Sequence, residues 1–183
     1  DLCTGTGDLA FEYDKACGGS VPIVAADFSG EMLVHAIQKS KRRGSHPRIP
    51  FIHADAQQLP FPSNEFEVAT VAFGLRNVTD TDRGLKEMVR VTRPGGKVAV
   101  LEFSRPRHWF LGRAYRAYFR YLLPMVGQLF SRSGEKAYSY LPASVMEFPD
   151  GEALAERMRT AGLHDVRFTP FTFGIATLYV GTK

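Results

Sequence analysis

The stretch DLCTGTGD at residues 1–8, taken together with the apolar run VPIVAAD at residues 21–27, decides the fold. Gly5 and Gly7 allow a ligand to approach the backbone closely, and the free amides at the start of the helix that follows favour polar or anionic groups. Asp27 ends the second predicted strand, where a carboxylate can accept hydrogen bonds from ribose hydroxyls. The pattern predicts a nucleoside-containing cofactor at the edge of a sheet.

Short apolar runs alternate with helical periods along the rest of the chain. We predict buried strands at residues 21–27, 49–55, 66–74 and 97–104. Helices are predicted at residues 30–41 and 81–91, and residues 164–183 are predicted to form two strands joined at Phe173-Gly174. Pro94-Gly95-Gly96 predicts a sharp turn between helix and strand. This alternation indicates an open α/β sheet that is mostly parallel, with an antiparallel edge.

The glycine loop by itself leaves two cofactor classes open, because its spacing followed by Asp27 also satisfies the fingerprint for NAD. Three features favour S-adenosylmethionine instead. Asp1 would attract a cationic amino-acid group and repel a pyrophosphate. Asp55-Ala56, at the end of the third predicted strand, can accept the adenine amino proton and offer an amide to the ring. The chain also has no second mononucleotide half for a nicotinamide.

Five segments follow one another as in class I methyltransferases: DLCTGTGD, ADFSGEML, HADAQQLPFPSNEFE, FGLRNVTD and RVTRPGGKVAVLEFS. FGLRNVTD, the LEFS ending and YSYLPASVMEFPD are narrower, and they resemble the ubiquinone/menaquinone biosynthesis C-methyltransferase family over essentially the whole chain. The resemblance implies a Rossmann-like fold with a mostly parallel seven-stranded sheet, an antiparallel C-terminal hairpin strand and helices on both faces. The chain departs from the family at Thr92, where an aliphatic residue is more usual, and this affects packing more than chemistry.

The same resemblance implies roles for individual residues. The residues implied to bind S-adenosylmethionine are Asp1, Gly5, Thr6, Gly7, Asp27, Asp55, Ala56 and Ala72. Arg76 and Asn77, just past the fourth predicted strand, match the catalytic pair proposed for the family. The implied reaction moves a methyl group from a sulfonium to a ring carbon of a prenylated quinol. The acceptor is a demethylmenaquinol, a ubiquinol precursor or both.

An aromatic ring carbon is a poor nucleophile until a neighbouring hydroxyl loses its proton. Arg76 can hold the developing phenolate electrostatically, but an arginine stays protonated in proteins and is a poor proton acceptor. We therefore expect a water held by Arg76 and Asn77, helped by Tyr138 or Tyr140, to remove the proton. The alternative interpretation of Arg76 is a cation on a surface loop.

The chain has 183 residues, which is enough for one globular domain with a full core. We predict a single domain over residues 1–183. Asp1 falls where a first strand should be ending, and the apolar body of that strand does not precede it. We therefore expect the sequence to be a piece of a longer protein, without its N-terminal segment.

The net charge of +4 is unevenly distributed, because residues 105–136 carry +6 and the remaining residues carry −2. We predict one helix at residues 108–123, with Arg113, Arg116 and Arg120 on one side and aromatic side chains on the other. One interpretation is an interfacial helix that contacts an anionic bilayer and admits the prenylated quinol from it. The other is a lid whose apolar face covers the active site and whose arginines are solvated.

Composition disfavours several other classes of protein. A basic charge confined to one insert is not typical of a nucleic-acid binder, and no apolar run approaches the ~20 residues of a membrane span. Cys3 and Cys17 are too few for a disulfide framework or a four-ligand zinc site, and no histidine has a partner at metal-ligand spacing. We expect a cytoplasmic protein without a metal, and the interfacial-helix interpretation would place residues 108–123 at the inner face of the cytoplasmic membrane. The sequence leaves open whether the protein forms a homo-oligomer.

Three other functions stay open as well. They are methylation of another small molecule or a nucleic acid, an NAD-linked oxidoreductase, and a ligand-binding fold without activity. FGLRNVTD lacks the Asn/Asp-Pro-Pro-aromatic motif that would indicate base amino methylation. Asp27, Asp55 and Arg76 are intact, which disfavours an inactive fold.

Overall fold

The structure of the chain is a computed structural model. It describes residues 1–45, 48–105 and 144–183. The predicted helix at residues 108–123, nearly all of the basic insert, Tyr138 and Tyr140 lie outside these ranges, so the predictions that concern them stay predictions. Within the described ranges, no helix has both the length and the apolar character that crossing a bilayer requires.

Helices and strands alternate along the described ranges, as the sequence predicts. The helices are α1 (Asp8–Ala16), α2 (Gly30–Arg43), α3 (Thr81–Val91) and α4 (Glu152–Thr160). The strands are β1 (Ala25–Asp27), β2 (Phe51–His53), β3 (Phe66–Ala72), β4 (Thr92–Phe103), β5 (His164–Phe171) and β6 (Ala176–Thr182). Ser29 accepts the amide hydrogen of Met32 at 3.3 Å, and Asp80 accepts that of Arg83 at 3.0 Å. These side chains cap α2 and α3, because each satisfies an amide that has no partner within the helix.

The strands form one mixed sheet in the order β2-β1, then Leu2, then β3-β4-β6-β5. Leu2 makes parallel bridges to Ala26 of β1 and to Val71 of β3, so a single extended residue fills the central position. β6 runs antiparallel to both β4 and β5, and the pairings of β1 with β2 and of β3 with β4 are parallel. The structure thus confirms the predicted mostly parallel sheet with seven strand positions and an antiparallel C-terminal hairpin strand.

The main core lies between one face of the sheet and helices α3 and α4. Val98 and Val100 of β4 and Tyr179 of β6 are buried there with Leu85 of α3 and Leu154 of α4. Successive side chains of a strand point to opposite faces. The residues that alternate with this buried set therefore face the other side of the sheet, where Leu9 and Tyr13 of α1 line a groove together with Ala99 of β4.

Two of the predicted strands are shorter than expected. The strands predicted at residues 21–27 and 49–55 pair only over β1 and β2. Pro22 and Pro50 have no amide hydrogen to donate to a neighbouring strand. Pro50 instead contributes its carbonyl oxygen, which accepts the amide hydrogen of Ala25 at 3.0 Å.

The turn predicted at Pro94-Gly95-Gly96 is wrong in one respect. β4 begins at Thr92 and contains these residues as a bulge, so they do not separate helix from strand. Gly95 has a φ of 80°, and a Cβ atom on Gly96 would lie 2.6 Å from the carbonyl oxygen of Glu67. Both positions therefore need glycine, the first for its conformation and the second for its close contact.

Candidate active site

The predicted site residues meet at one edge of the sheet, where its parallel strands end. Asp27 ends β1, Asp55 follows β2, and Arg76 lies in a short 3-10 turn, Leu75–Asn77, after β3. Glu102, the penultimate residue of β4, reaches the same edge. In open α/β sheets this edge forms the crevice in which ligands bind.

The thiol of Cys3 lies where the negative charges of three acidic residues act together. Its pKa is raised to about 12, first by burial and then by the negative charges of Asp27, Glu102 and Asp55. All three carboxylates therefore act on one point beside the glycine loop. A thiol with this pKa stays protonated at neutral pH, so Cys3 serves as a small spacer and not as a nucleophile. Within the described ranges, no group of three or more His, Cys, Asp or Glu side chains could hold a metal ion.

The glycine loop is held open towards this edge. Gly5 and Gly7 have φ values of 57° and 81°, a region that suits glycine. A Cβ atom on Gly7 would lie 2.9 Å from the ring of Phe51, whereas one on Gly5 would have no atom within 4 Å. The amide of Gly5 donates to Asp27 Oδ2 at 2.7 Å. The space beside Gly5 is therefore free for a ligand that can contact both the loop and Asp27.

Asp1 and Thr6 flank this loop in different ways. The carboxylate of Asp1 accepts the hydroxyl hydrogens of Thr4 at 2.6 Å and Thr70 at 3.0 Å, which ties the loop to β3. The hydroxyl of Thr6 donates to Asp8 and accepts from Lys39 at 2.8 Å. Because that hydroxyl is already engaged, we expect Thr6 to meet a ligand through its main chain.

Asp27 and Asp55 are both presented as hydrogen-bond acceptors. Asp27 Oδ1 accepts the amide hydrogen of Ser29 at 2.8 Å, and Asp55 Oδ1 accepts that of Gln57 at 2.8 Å. Hydrogen bonds from the main chain and then the side chain of Gln57 hold the pKa of Asp55 below its ordinary value. The carboxylate is therefore ionised at neutral pH, as an acceptor of an amino proton must be. Ala56 lies inside this turn.

Arg76 is a buried cation with fixed partners, which contradicts the surface-loop interpretation. Its side chain is only 8% exposed, and Nη1 donates to Glu102 Oε1 at 2.7 Å and to the carbonyl oxygen of Phe73. The guanidinium also lies 5.1 Å from the centroid of the Phe103 ring. Its Nε is buried and has no hydrogen-bond partner among the described residues, so this N–H group is not used within the described site.

Glu102 is a site residue that is not among those predicted from the sequence. It is 1% exposed, and it accepts hydrogen bonds from the guanidinium and the main-chain amide of Arg76. Burial raises its pKa above the ordinary value, although the charge of Arg76 opposes this shift. A signal was present in the sequence, because Val98, Val100 and Glu102 alternate along an apolar strand. An acid on the buried face of a strand requires a cationic partner.

The aromatic ring that borders the guanidinium packs against a second ring. The ring centroids of Phe73 and Phe103 are 4.5 Å apart, and Phe73 is 37% exposed. Phe73 has a φ of 55°, an uncommon value for a residue other than glycine. The arrangement combines an accessible aromatic surface with a fixed positive charge, which suits a flat ring that carries an oxygen anion.

The remaining predicted residues lie on either side of these rings. Ala72 ends β3 and lines a groove of about 340 Å³ together with Leu101 and Leu178, among other apolar side chains. Asn77 is exposed at the end of the 3-10 turn, where its amide donates to the carbonyl oxygen of Gly74 at 3.0 Å. Tyr140, the third residue predicted for catalysis, lies outside the described ranges.

Comparison with known proteins supports, over the whole chain, the family resemblance that the sequence motifs indicate. The model of the ubiE/COQ5 methyltransferase family matches residues 1–183. The chain is 44% identical over 183 residues to a demethylmenaquinone methyltransferase of Geobacillus stearothermophilus, and the match covers 100% of the chain and 77% of that protein. It is 45% identical over 185 residues to the ubiquinone/menaquinone biosynthesis C-methyltransferase UbiE of Geobacter sulfurreducens, covering 100% of the chain and 71% of that protein.

The fold is also shared with solved structures of low sequence identity. A SAM-dependent methyltransferase from Aquifex aeolicus superposes with a TM-score of 0.69 at 16% identity. The match covers 99% of the chain and 79% of the solved structure. At this identity the likeness concerns the fold, and it agrees with the Rossmann-like sheet described above.

Proposed function

Because the chain belongs to the ubiE/COQ5 methyltransferase family, we propose that it is an S-adenosylmethionine-dependent C-methyltransferase of menaquinone or ubiquinone biosynthesis. Its acceptor is the ring of a prenylated quinol. The observation that carries the proposal is the convergence of Asp27, Asp55 and Arg76 at the carboxyl edge of the sheet. The family match over residues 1–183 disfavours the NAD-linked oxidoreductase that the glycine loop leaves open.

The residues at this edge fit S-adenosylmethionine, which supplies the methyl group when it is bound. The open space beside Gly5 leaves the loop backbone accessible. Asp27 and Asp55 are acceptors for hydroxyl and amino groups, and Asp1 offers a negative charge to a cationic amino-acid group. We assign the binding of the cofactor to these residues, with Thr6, Gly7, Ala56 and Ala72 completing the set.

Arg76 and its neighbours act on the acceptor. The fixed positive charge of the Arg76 guanidinium can stabilise the oxygen of a developing phenolate, and the accessible face of Phe73 can pack against the quinol ring. One ring C–H bond is exchanged for a C–CH3 bond, so one proton must leave. We assign its removal to a water held by Arg76 and Asn77, with help from Tyr140, since an arginine does not accept protons.

The proposal is tested by supplying the full chain with methyl-deuterated S-adenosylmethionine and a short-chain demethylmenaquinol under anaerobic conditions. A ubiquinol precursor is supplied in parallel, and the products are analysed by mass spectrometry. We expect the label on a ring carbon. Asp27→Ala should abolish both cofactor binding and product, whereas Arg76→Ala should bind S-adenosylhomocysteine normally but turn over about 100-fold more slowly.

Arg42→Ala provides a matched control, because Arg42 is an exposed arginine of α2 far along the helix from its N-terminus. It should leave both binding and turnover unchanged. If the wild-type chain binds S-adenosylhomocysteine yet labels neither quinol, the acceptor class is wrong. If Arg76→Ala turns over at the wild-type rate, Arg76 has no catalytic role.

We further propose that residues 108–123 bring the protein to the membrane that holds a prenylated acceptor. In this proposal residues 1–183 form one domain, and the basic segment is an insert within it. The support is the charge of +6 over residues 105–136, in a chain whose other residues carry −2. Co-sedimentation with anionic vesicles should be strong at low salt and weak at high salt. Equal binding by a variant with Gln at positions 113, 116 and 120 would contradict the electrostatic part.

A further inference from the structure

Glu102 has no role in the reaction outlined above, although it touches the central catalytic residue. Its Oε1 accepts the guanidinium Nη1–H of Arg76 at 2.7 Å and the amide hydrogen of Phe103 at 2.9 Å. Its Oε2 accepts the main-chain amide hydrogen of Arg76 at 3.3 Å. One carboxylate thus holds both the backbone and the side chain of the same arginine.

The surroundings of this carboxylate leave it few other partners. Glu102 is 1% exposed, and its register partner on β6 is Thr177, which carries no charge. Among the described residues, Cys3 on the glycine loop is a titratable group whose pKa responds to the charge of Glu102, and its thiol is neutral. The buried charge of Glu102 is therefore compensated by Arg76.

The other contacts of Arg76 show what this pairing achieves. The guanidinium is fixed by Glu102, by the carbonyl oxygen of Phe73 and by the Phe103 ring, and its Nε donor stays unused. A guanidinium fixed by several partners is held in one orientation. Its positive charge is at the same time balanced until a second anion arrives.

We propose that Glu102 is the positioning residue for Arg76: it aims the guanidinium at the acceptor hydroxyl and balances its charge until the phenolate forms. This inference rests on the proposed function. Glu102 makes two contributions: a geometric one that depends on the length of its side chain, and an electrostatic one that depends on its charge.

Two substitutions distinguish the contributions. Glu102→Gln keeps the length but removes the charge, so Arg76 becomes an uncompensated cation that favours the phenolate. We expect kcat to fall about 10- to 100-fold, because the guanidinium is held less firmly. We also expect the midpoint of the acidic limb of the pH–rate profile to move to lower pH. Glu102→Asp keeps the charge but falls one methylene short, so kcat should fall without a shift of the midpoint.

A double-mutant cycle then tests whether Glu102 acts through Arg76. In a chain that carries Arg76→Gln, the further change Glu102→Gln should alter kcat by no more than about twofold, although it lowers kcat in the wild-type background. Asp14→Asn is the matched control, because Asp14 of α1 is also a buried carboxylate and pairs with Arg48 at 2.7 Å. It should leave kcat and the pH midpoint unchanged.

Binding of S-adenosylhomocysteine, measured by calorimetry, shows that each variant is folded. The inference is overturned if Glu102→Gln keeps wild-type kcat and an unshifted midpoint, or if Glu102→Gln lowers kcat a further tenfold or more beside Arg76→Gln. If Glu102→Gln alone does not fold, the comparison of Arg76→Gln with the double variant decides. Failure of the double variant to fold while Arg76→Gln folds would also overturn it. An inactive wild-type chain, in contrast, would count against the proposed function.

Discussion

Gly74 offers a direct test of how the glycine loop and the catalytic turn are packed together. It is buried between β3 and the 3-10 turn, and a Cβ atom there would lie 2.2 Å from Cys3 Cβ and 3.0 Å from Cys3 Sγ. Its φ is −117°, so an alanine would be excluded by contact and not by backbone conformation. We expect Gly74→Ala to push the glycine loop away from β3.

The size of the effect follows from the distances. Because ordinary contacts of a Cβ atom begin near 3.4 Å, Cys3 must move by more than 1 Å to make room. Overpacking of this kind lowers the free energy of unfolding by about 1–3 kcal/mol. A displacement of about 1 Å in the loop that holds the cofactor should weaken binding of S-adenosylhomocysteine at least about tenfold.

Cys3 also supplies the means of rescue. Its φ is 51°, a region that suits glycine, so Cys3→Gly removes the obstructing side chain and relieves an unfavourable backbone conformation together. The small lost burial and the relieved strain are each worth about 1 kcal/mol. The double variant Gly74→Ala/Cys3→Gly should therefore unfold within about 1 kcal/mol of wild type.

Urea unfolding and calorimetric titration of S-adenosylhomocysteine measure the two effects. Gly30→Ala is the control, because a Cβ atom at this first residue of α2 would have no atom within 4 Å. It should be neutral or stabilise the chain by up to about 1 kcal/mol. The reasoning is refuted if Gly74→Ala is as stable as wild type, or if adding Cys3→Gly recovers neither stability nor binding.

Three further expectations concern single groups. Iodoacetamide at about pH 8 should alkylate the exposed Cys17 and spare Cys3, whose pKa is raised to about 12; equal labelling in a peptide map would contradict this. Asp80→Ala removes the cap of α3 and should lower the free energy of unfolding by about 1 kcal/mol in urea titrations. The pKa of Asp55 is depressed, so its ionised form stabilises the fold above about pH 4, and this stabilisation is lost as the pH falls through the depressed value. Gln57→Ala removes the side-chain hydrogen bond to Asp55 and keeps the main-chain one, so it should make acid unfolding, followed by circular dichroism, slightly less steep. An unchanged curve would argue against a contribution from the side-chain hydrogen bond.

Local patterns were sufficient for the parts of the fold that depend on neighbours in sequence. Ser29 is a candidate helix cap from the sequence alone, because the amide that it accepts from lies three residues away. Before α3 the sequence offers both Thr79 and Asp80, and the structure shows that Asp80 is the cap. The bulge in β4 could not be predicted in this way. The amide of Gly95 donates to the carbonyl oxygen of Lys183 at 2.7 Å, a contact across the sheet that no local window contains.

The same distinction applies to the site. The position of Arg76 at the end of β3 follows from the order of strands, since the carboxyl ends of parallel strands meet at one edge. Its burial does not follow, because a cation after a strand is equally compatible with a solvated loop. The structure shows it 8% exposed, held by a carboxylate 26 residues along the chain.

Glu102 shows how a partner can be sought before a structure is known. Val98, Val100 and Glu102 share one face of β4, and the first two are fully buried, so the carboxylate must also be buried. An isolated buried carboxylate is costly and needs a cation or several hydrogen bonds. β3 is the parallel neighbour of β4, and the turn after it ends beside Glu102, which makes Arg76 the cation within reach. The acid therefore identifies Arg76 as a buried residue, once the pairing of the two strands is known.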